Sequence, residues 1–310
     1  MLYIIGLGLS DFEDITVKGL KAIQCSDKIY LEHYTSILGG GADYKVELEE
    51  FYKKKIILAD RTMVEQNSDE IIEHAKSQIV SFLVVGDPFG ATTHSDLILR
   101  AVEKNVPYKV IHNASIMNAV GCCGLQLYSF GETVSICFWS ESENWRPKSY
   151  FCKIGENRVR GLHTLCLLDI KVKEKSVENL IKGREIYEPP RFMTVSQACS
   201  QLIEIISEAQ NAQKEEDDSS TLIDTVKLNL VNAETIGVGL ARVGRNDQTI
   251  IVDSIKNLAD KHSLGEPLHS LVIAGKLHPL EVEFLKLFFV DKNKRFEDLV
   301  ELHNKFYSKN

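Results

Sequence analysis

The chain has 310 residues, a length that predicts two domains or one large one and a substantial buried core. Hydrophobic residues at 44% and charged residues at 26%, with only 19 Gly and 7 Pro, exclude a mainly disordered or collagen-like protein. A formal net charge of −8 withholds the broad positive field that non-specific nucleic-acid binding draws on.

The opening residues Met1-Leu2-Tyr3-Ile4-Ile5-Gly6-Leu7-Gly8-Leu9-Ser10-Asp11 lack a basic leader and a cleavage site, and no apolar run approaches ~18 residues, so neither secretion nor a membrane span is expected. Seven Cys stand at 25, 122, 123, 137, 152, 166 and 199, without a Cys-x-x-Cys and without a His at zinc-ligand spacing. No metal is expected, and a reducing cytoplasm fits the unpaired number.

The first half alternates short apolar runs with helix-like segments, the pattern of an α/β domain with a largely parallel sheet. Strands are predicted over Leu2 to Ile5, Lys28 to Leu31, Ile56 to Leu58, Ile79 to Val85 and Tyr108 to Ile111. Between the first two, Asp14 reads as an N-cap for a helix carrying Val17, Leu20 and Ile23 and stopped by Cys25-Ser26-Asp27. Ile79 to Val85 interrupts six apolar residues with a single Ser, as a strand buried on both faces does.

After about residue 115 the spacing becomes unequal. Val134 to Phe138, Thr164 to Ile170, Thr235 to Val243 and Leu268 to Ala274 read as strands of mixed direction, with helices from Thr194 to about Ala209 and from Pro279 to Phe289. We therefore expect an N-terminal α/β domain over 1–114 and a C-terminal α/β domain over 115–310. The run Gln213 to Ser220 is polar and charged, and predicts an exposed acidic loop near 211–220.

Ligands of open α/β sheets sit outside the carboxyl ends of the strands, so the turns there are where chemistry should be sought. Gly6-Leu7-Gly8-Leu9-Ser10-Asp11 lets backbone approach a ligand, yet as a dinucleotide fingerprint it fails at the third Gly, where Asp11 would repel a pyrophosphate. Val85-Gly86-Asp87-Pro88-Phe89-Gly90 sets a rigid turn in which Asp87 accepts either from its own backbone or from a ligand. Thr92 or Thr93 would cap the helix that follows, with His94 on its surface. Ser115 and Ile116 open a small-residue helix whose free N–H groups suit an anion, while Cys122 and Cys123 on it read as core packing. Leu264-Gly265-Glu266-Pro267-Leu268-His269-Ser270 places a lone His at the mouth of a strand.

Together the blocks Gly6-Leu7-Gly8-Leu9, Gly86 to His94, His112-Asn113-Ala114-Ser115-Ile116-Met117-Asn118-Ala119, Tyr187-Glu188-Pro189-Pro190-Arg191-Phe192-Met193 and Gly265-Glu266-Pro267-Leu268-His269 resemble the diphthine methyl ester synthases, the eukaryotic diphthine synthases. The likeness runs in order from residue 1 to about 280. A more distant one, through the Gly-Asp-Pro turn, is to the tetrapyrrole methylase superfamily as a whole. The resemblance implies two α/β domains of the tetrapyrrole methylase type, the first with a mostly parallel and the second with a mixed sheet. It implies an S-adenosylmethionine-dependent methyltransferase, a homodimer, that yields S-adenosylhomocysteine. The substrate it implies is the histidine of translation elongation factor 2 that carries a 3-amino-3-carboxypropyl group, a step of diphthamide biosynthesis. Methylation of both amine and carboxylate would give diphthine methyl ester. Family donor-binding positions fall on Leu9, Asp87, Gly90, Ser115, Ile116, Leu168, Val243 and His269. The chain departs from the family at Ser140 to Asn144, which looks longer, and at Ser10, where Gly is frequent.

A carboxylate nucleophile is already ionised at neutral pH, whereas an amine must first lose a proton, and no residue is named for that task from sequence. Asp87 and His269 are assigned to holding the donor. Tyr187 to Met193 either shapes the substrate entrance, with Arg191 meeting a carboxylate, or braces the two domains. Rival readings are a tetrapyrrole or ribosomal RNA methylase of the same superfamily, a non-catalytic binding protein of the same fold, and a nicotinamide-dependent oxidoreductase. The acidic charge weighs against the RNA version, and Asp11 against the last.

Overall fold

The computed structural model describes residues 1–34, 44–140, 144–172, 174, 179, 181–184, 186–214, 231–291, 295–305 and 307. Two compact units emerge, Met1–Ala119 with Val243–Asn246, and Val120–Arg242 with Asp247–Asn310.

The first unit is built on β1 (Leu2–Gly6), β2 (Lys28–Glu32), β3 (Ile57–Ala59), β4 (Val80–Val84) and β5 (Tyr108–Ile111). They lie in the order β3-β2-β4-β1-β5 and every pair is parallel. Alternate residues serve opposite faces. Ile4, Tyr30 and Phe82 pack with Ile71, Ile72 and Ala75 of helix Asp69–Ser77 and with Leu97 and Ala101 of helix Ser95–Glu103. Ile5, Leu31 and Leu83 pack with Ala22 and Ile23 of helix Val17–Cys25 and with Leu48 and Tyr52 of helix Tyr44–Tyr52. Both faces are covered, which is why all of Val80 to Val84 is buried. Burying each such Ile, Leu or Phe contributes about 1.5–3 kcal/mol. The one polar residue of β4 is satisfied: the Ser26 hydroxyl donates to the Ala22 carbonyl at 2.8 Å, leaving its oxygen to accept from Ser81 at 2.7 Å.

Three local expectations fail here for tertiary reasons. Thr16, and not Asp14, caps the first helix by accepting from Gly19 N at 3.0 Å. The helix at Ser95 has neither Thr as its cap; Thr92 donates instead to the Pro88 carbonyl. His94 is buried at 1% exposure, edge-on to Phe82 at 5.3 Å, and is no surface residue.

The second unit holds β6 (Val134–Ile136), β7 (Thr164–Leu168), β10 (Ile236–Ala241), β11 (Thr249–Ser254) and β12 (His269–Ile273), with a separate ribbon of β8 (Ile170–Lys171) and β9 (Arg191–Phe192). The order is β11-β10-β12-β7-β6, antiparallel except for β6 with β7, so the sheet is mixed as expected. Phe151 and Ile154 of helix Ser149–Val159 and Ala198 and Leu202 of helix Val195–Lys214 close its core with Ile136, Leu168 and Leu271.

The strand expected over Thr164 to Ile170 is broken at Asp169, whose carboxylate accepts from Phe138 N at 3.0 Å. The helix expected to end near Ala209 runs on to Lys214, so 211–214 are helical, and the rest of the acidic segment, 215–220, lies outside the described residues. So do 141–143 of the longer stretch at Ser140. The helix from Pro279 ends at Leu285 and tightens into a short turn over Lys286–Phe288. Strand β11 and helix Ser149–Val159 were not foreseen.

One buried polar knot ties the last helix, Phe296–Asn304, to the sheet. His303 accepts from Ile236 N at 3.2 Å through Nδ1 and donates from Nε2 to the Gly275 carbonyl at 2.8 Å. Burial, with the neighbouring Arg158 charge, pulls its pKa down to about 3. All seven Cys are free, and burial pushes the Cys123 thiol up to about 12, which makes it inert packing.

Candidate functional site

In the first unit the turns that follow β1, β4 and β5 are fastened to one another at the carboxyl edge of the sheet. Gly8 and Gly86 exchange backbone hydrogen bonds, Gly86 N to Gly8 O at 2.7 Å and Gly8 N to Gly86 O at 3.3 Å. Both have positive φ, +89° and +78°, a conformation glycine adopts without strain. A Cβ at Gly6 would stand 2.5 Å from the Gly86 carbonyl oxygen, and one at Gly90 would stand 2.8 Å from the Ser115 Oγ. Side chains at these positions would push the turns apart.

Asn113 and Asp14 act as pins. The Asn113 amide donates to the carbonyls of Gly6 and Asp14, each at 3.0 Å, and the Asp14 carboxylate accepts from Leu9 N at 3.0 Å and Ser10 N at 2.8 Å. That second role explains why Asp14 does not cap the helix: its carboxylate already holds the Leu9 turn. Gly244, at φ +92°, lies so close that a Cβ there would meet Leu9 Cβ at 3.0 Å, which brings the Val243 segment beside Leu9. At Ser115 the hydroxyl accepts from Met117 N at 3.3 Å while its own N–H donates to Asn118 Oδ1 at 2.9 Å. The first unit thus gathers Leu9, Asp87, Gly90, Ser115, Ile116 and Val243, with Leu9, Ile116 and Val243 half-buried.

Asp87 is the most heavily engaged carboxylate at this edge. Oδ1 accepts from Phe89 N at 2.9 Å; Oδ2 accepts from Asn113 N at 3.1 Å and from His112 Nδ1 at 2.9 Å. Partial burial opposes ionisation, but the N–H groups of Phe89 and Asn113 and the His112 ring outweigh it and hold the carboxyl below the ordinary range. Asp87 therefore satisfies its own turn and also orients a histidine, which the single His in His112-Asn113 did not signal. His112 is exposed, with the Phe89 ring 5.9 Å away.

Leu168 and His269 belong to the second unit. Ser270 pairs with Leu167 in antiparallel register, so His269 and Leu168 sit side by side at the ends of β12 and β7. His269 Nδ1 accepts from Val195 N at 3.3 Å, and Nε2 donates to the carbonyls of Gly265 and Glu266 at 3.1 and 3.0 Å. Both ring nitrogens are thereby occupied, and burial, set against those two carbonyls, lowers the pKa. A neutral His269 without a free lone pair shapes a wall and does not move protons.

Arg242, buried at 9%, organises the loop that holds it. Its guanidinium donates to the carbonyls of Leu264 and Glu266, to the Asp247 carbonyl and to Thr249 Oγ1. Arg191, exposed, pairs with Glu174 at 2.7 and 3.2 Å, with the Phe138 ring 4.9 Å from its guanidinium carbon.

The family model described as Tetrapyrrole (Corrin/Porphyrin) Methylases matches residues 1–209. The diphthine methyl ester synthase of Mus musculus is 57% identical over 96% of this chain and 100% of its own. That of Saccharomyces cerevisiae is 52% identical over 96% of this chain and 93% of its own. A crystal structure of a diphthine synthase superposes with a TM-score of 0.75 at 34% identity, covering 97% of this chain and 99% of that one.

Proposed function

Since the chain belongs to the tetrapyrrole (corrin/porphyrin) methylases and, within them, to the diphthine methyl ester synthases, we propose that it methylates the modified histidine of translation elongation factor 2 with S-adenosylmethionine as donor. Amine and carboxylate of the 3-amino-3-carboxypropyl group are both acceptors, and the product is diphthine methyl ester. The observation that carries this reading is the knot of turns at Gly8, Gly86, Asn113 and Ser115 in a chain more than half identical to synthases of that name over nearly its full length.

The residues present fit the donor. The missing Cβ atoms at Gly6 and Gly86 let the turns close on one another, and half-buried Leu9, Ile116 and Val243 beside them offer apolar surface to its adenosyl part. We assign donor binding to Leu9, Asp87, Gly90, Ser115, Ile116, Leu168, Val243 and His269. The donor supplies an electrophilic methyl carbon on a sulfonium, and S-adenosylhomocysteine is what remains. The chain's part is to orient and to exclude water, which is worth ~7–11 kcal/mol of barrier when reacting atoms are well aligned.

A homodimer in the cytoplasm completes the proposal. Exposed Leu280 and Leu287 on the second unit, at 68% and 72%, support self-association, and free thiols support a reducing compartment. Among the described residues no helix is long and apolar enough to cross a membrane.

The test is incubation with labelled S-adenosylmethionine and elongation factor 2 bearing the partly built modification, followed by mass analysis of the histidine in increments of one methyl group. Calorimetry with the donor runs in parallel. Heat on titration and methyl gain on that histidine are expected. Methyl gain on ribosomal RNA or a tetrapyrrole, with none on the histidine, would replace the reading by its superfamily rivals.

A further inference from the structure

We propose that His112 is the general base that takes the proton from the substrate amine before each amine methylation, and that Asp87 is the residue that positions it. The proposal rests on the reading above, that an amine and a carboxylate are both methylated.

The geometry restricts the ring to one useful state. A carboxylate can only accept, so the 2.9 Å contact from His112 Nδ1 to Asp87 Oδ2 carries its proton on Nδ1. In the neutral ring the lone pair is then on Nε2, the edge turned away from Asp87. Asp87 itself cannot swing, because Phe89 N and Asn113 N hold both of its oxygens. The His112 side chain is 67% exposed against 16% for Asp87, so the carboxylate is screened while the base stays reachable. A fixed acceptor, an oriented imidazole and an accessible Nε2 form the base-and-orienter pair that recurs in proton-transferring sites.

Neither of the other histidines near the assigned residues can serve. His94 is buried at 1%, and His269 has both nitrogens in hydrogen bonds. His112 also stands next to Asn113, at the edge where the turns of Leu9, Asp87 and Ser115 meet.

Nε2 accepts one proton from the substrate ammonium, leaving a neutral amine and an imidazolium whose two N–H groups point at Asp87 and at solvent. The amine lone pair forms the new N–C bond as the C–S bond breaks, its electron pair staying on sulfur. The imidazolium returns its proton to water and the cycle repeats until the nitrogen is quaternary and has no proton left to give. The carboxylate needs no such step, and this difference makes the proposal testable inside one reaction.

Amine-bound methyl groups survive mild alkali and ester-bound ones do not, so the ratio of alkali-stable to alkali-labile methyl on the modified histidine is the readout. His112→Ala should lower that ratio ~100-fold or more, and added imidazole should raise it again. His112→Asn keeps an N–H donor for Asp87 but has no base, so it should be as defective as His112→Ala, and calorimetry should still detect donor binding by both. If His112→Asn restores the wild-type ratio, His112 only braces Asp87 and the proposal is overturned. An unchanged ratio in His112→Ala, or equal loss of both kinds of methyl with normal donor binding, overturns it too. Absence of donor binding by the wild-type chain would instead remove the methyltransferase reading, and the role of His112 with it.

Discussion

Asn113→Ala isolates what fastens the turns of the first unit. The substitution removes two bonds donated to the Gly6 and Asp14 carbonyls and the one accepted from Ala114 N at 2.8 Å. Water can replace the bond to Asp14, which is exposed, but the Gly6 carbonyl is partly buried and loses its partner. At ~0.5–1.5 kcal/mol per net hydrogen bond and ~1–3 kcal/mol for a buried group left unsatisfied, the expected loss is about 2 kcal/mol. Asp14 then loosens, and with it the two N–H bonds that fix Leu9 and Ser10, so donor affinity should fall about tenfold, or about 1.4 kcal/mol. Asn113→Asp keeps the shape but sets carboxylate oxygens against two carbonyls and beside Asp87, and should be worse by about 1–2 kcal/mol. Urea denaturation reads the first quantity and calorimetry with S-adenosylmethionine the second. An Asn113→Asp protein with wild-type midpoint and wild-type affinity would refute the account, because no arrangement of these three acceptors tolerates an anion at that position.

Three further outcomes are expected. Gly244→Ala forces a side chain into φ +92° with its Cβ 3.0 Å from Leu9 Cβ, and should cost about 1–2 kcal/mol in denaturant and weaken donor binding; equal affinity in calorimetry would detach the Val243 segment from the site. Arg242→Ala strands the carbonyls of Leu264, Glu266 and Asp247 and frees the loop that carries the acceptors of His269, so a loss of about 3 kcal/mol is expected, with Arg242→Lys recovering only part because one ammonium cannot span those directions. His303 has a native pKa depressed to about 3 against an unfolded value of about 6.5, so its stabilisation is complete above pH 6.5 and is lost as pH falls toward 3. Between pH 6.5 and 5 that amounts to about 2 kcal/mol, read from urea midpoints, and His303→Gln should flatten the slope over the same window.

What was legible from sequence is what local periodicity controls. Leu2 to Gly6 and Val80 to Val84 are unbroken apolar runs because both faces of a parallel sheet are covered, and such runs announce themselves. β11 did not, since Ile250, Ile251 and Val252 are followed by Asp253, which looks like a turn residue. Asp253 is nevertheless buried, its carboxylate satisfied by Ser254 N, Asn257 Nδ2 and His262 Nε2, and those partners come together only in the folded unit. Asp14 shows the same limit from the other side. A carboxylate three residues before Val17 looks like a cap, but the N–H groups of Leu9 and Ser10 reach it first because the turn after β1 folds back over it.

The same competition for polar groups explains why the eight residues inherited from the family resemblance say little about proton transfer. Backbone turns and apolar side chains suit a reaction that needs alignment, and a motif search finds those. A base becomes visible only through its orienter, and here the orienter is a residue already claimed for the donor: Asp87 has two oxygens, one spent on its own turn at Phe89 N and the other shared between Asn113 N and His112 Nδ1. If Asp87 served the donor alone, nothing would require an exposed imidazole to be tethered beside it. Asp87→Asn separates the two duties. Its amide keeps one acceptor for the turn or for Asn113 but cannot hold the Nδ1–H tautomer as a carboxylate does, so amine methylation should fall further than ester methylation even after donor is raised to saturation. Equal loss of both, fully restored by saturating donor, would assign Asp87 to binding and leave His112 without a reason to be where it is.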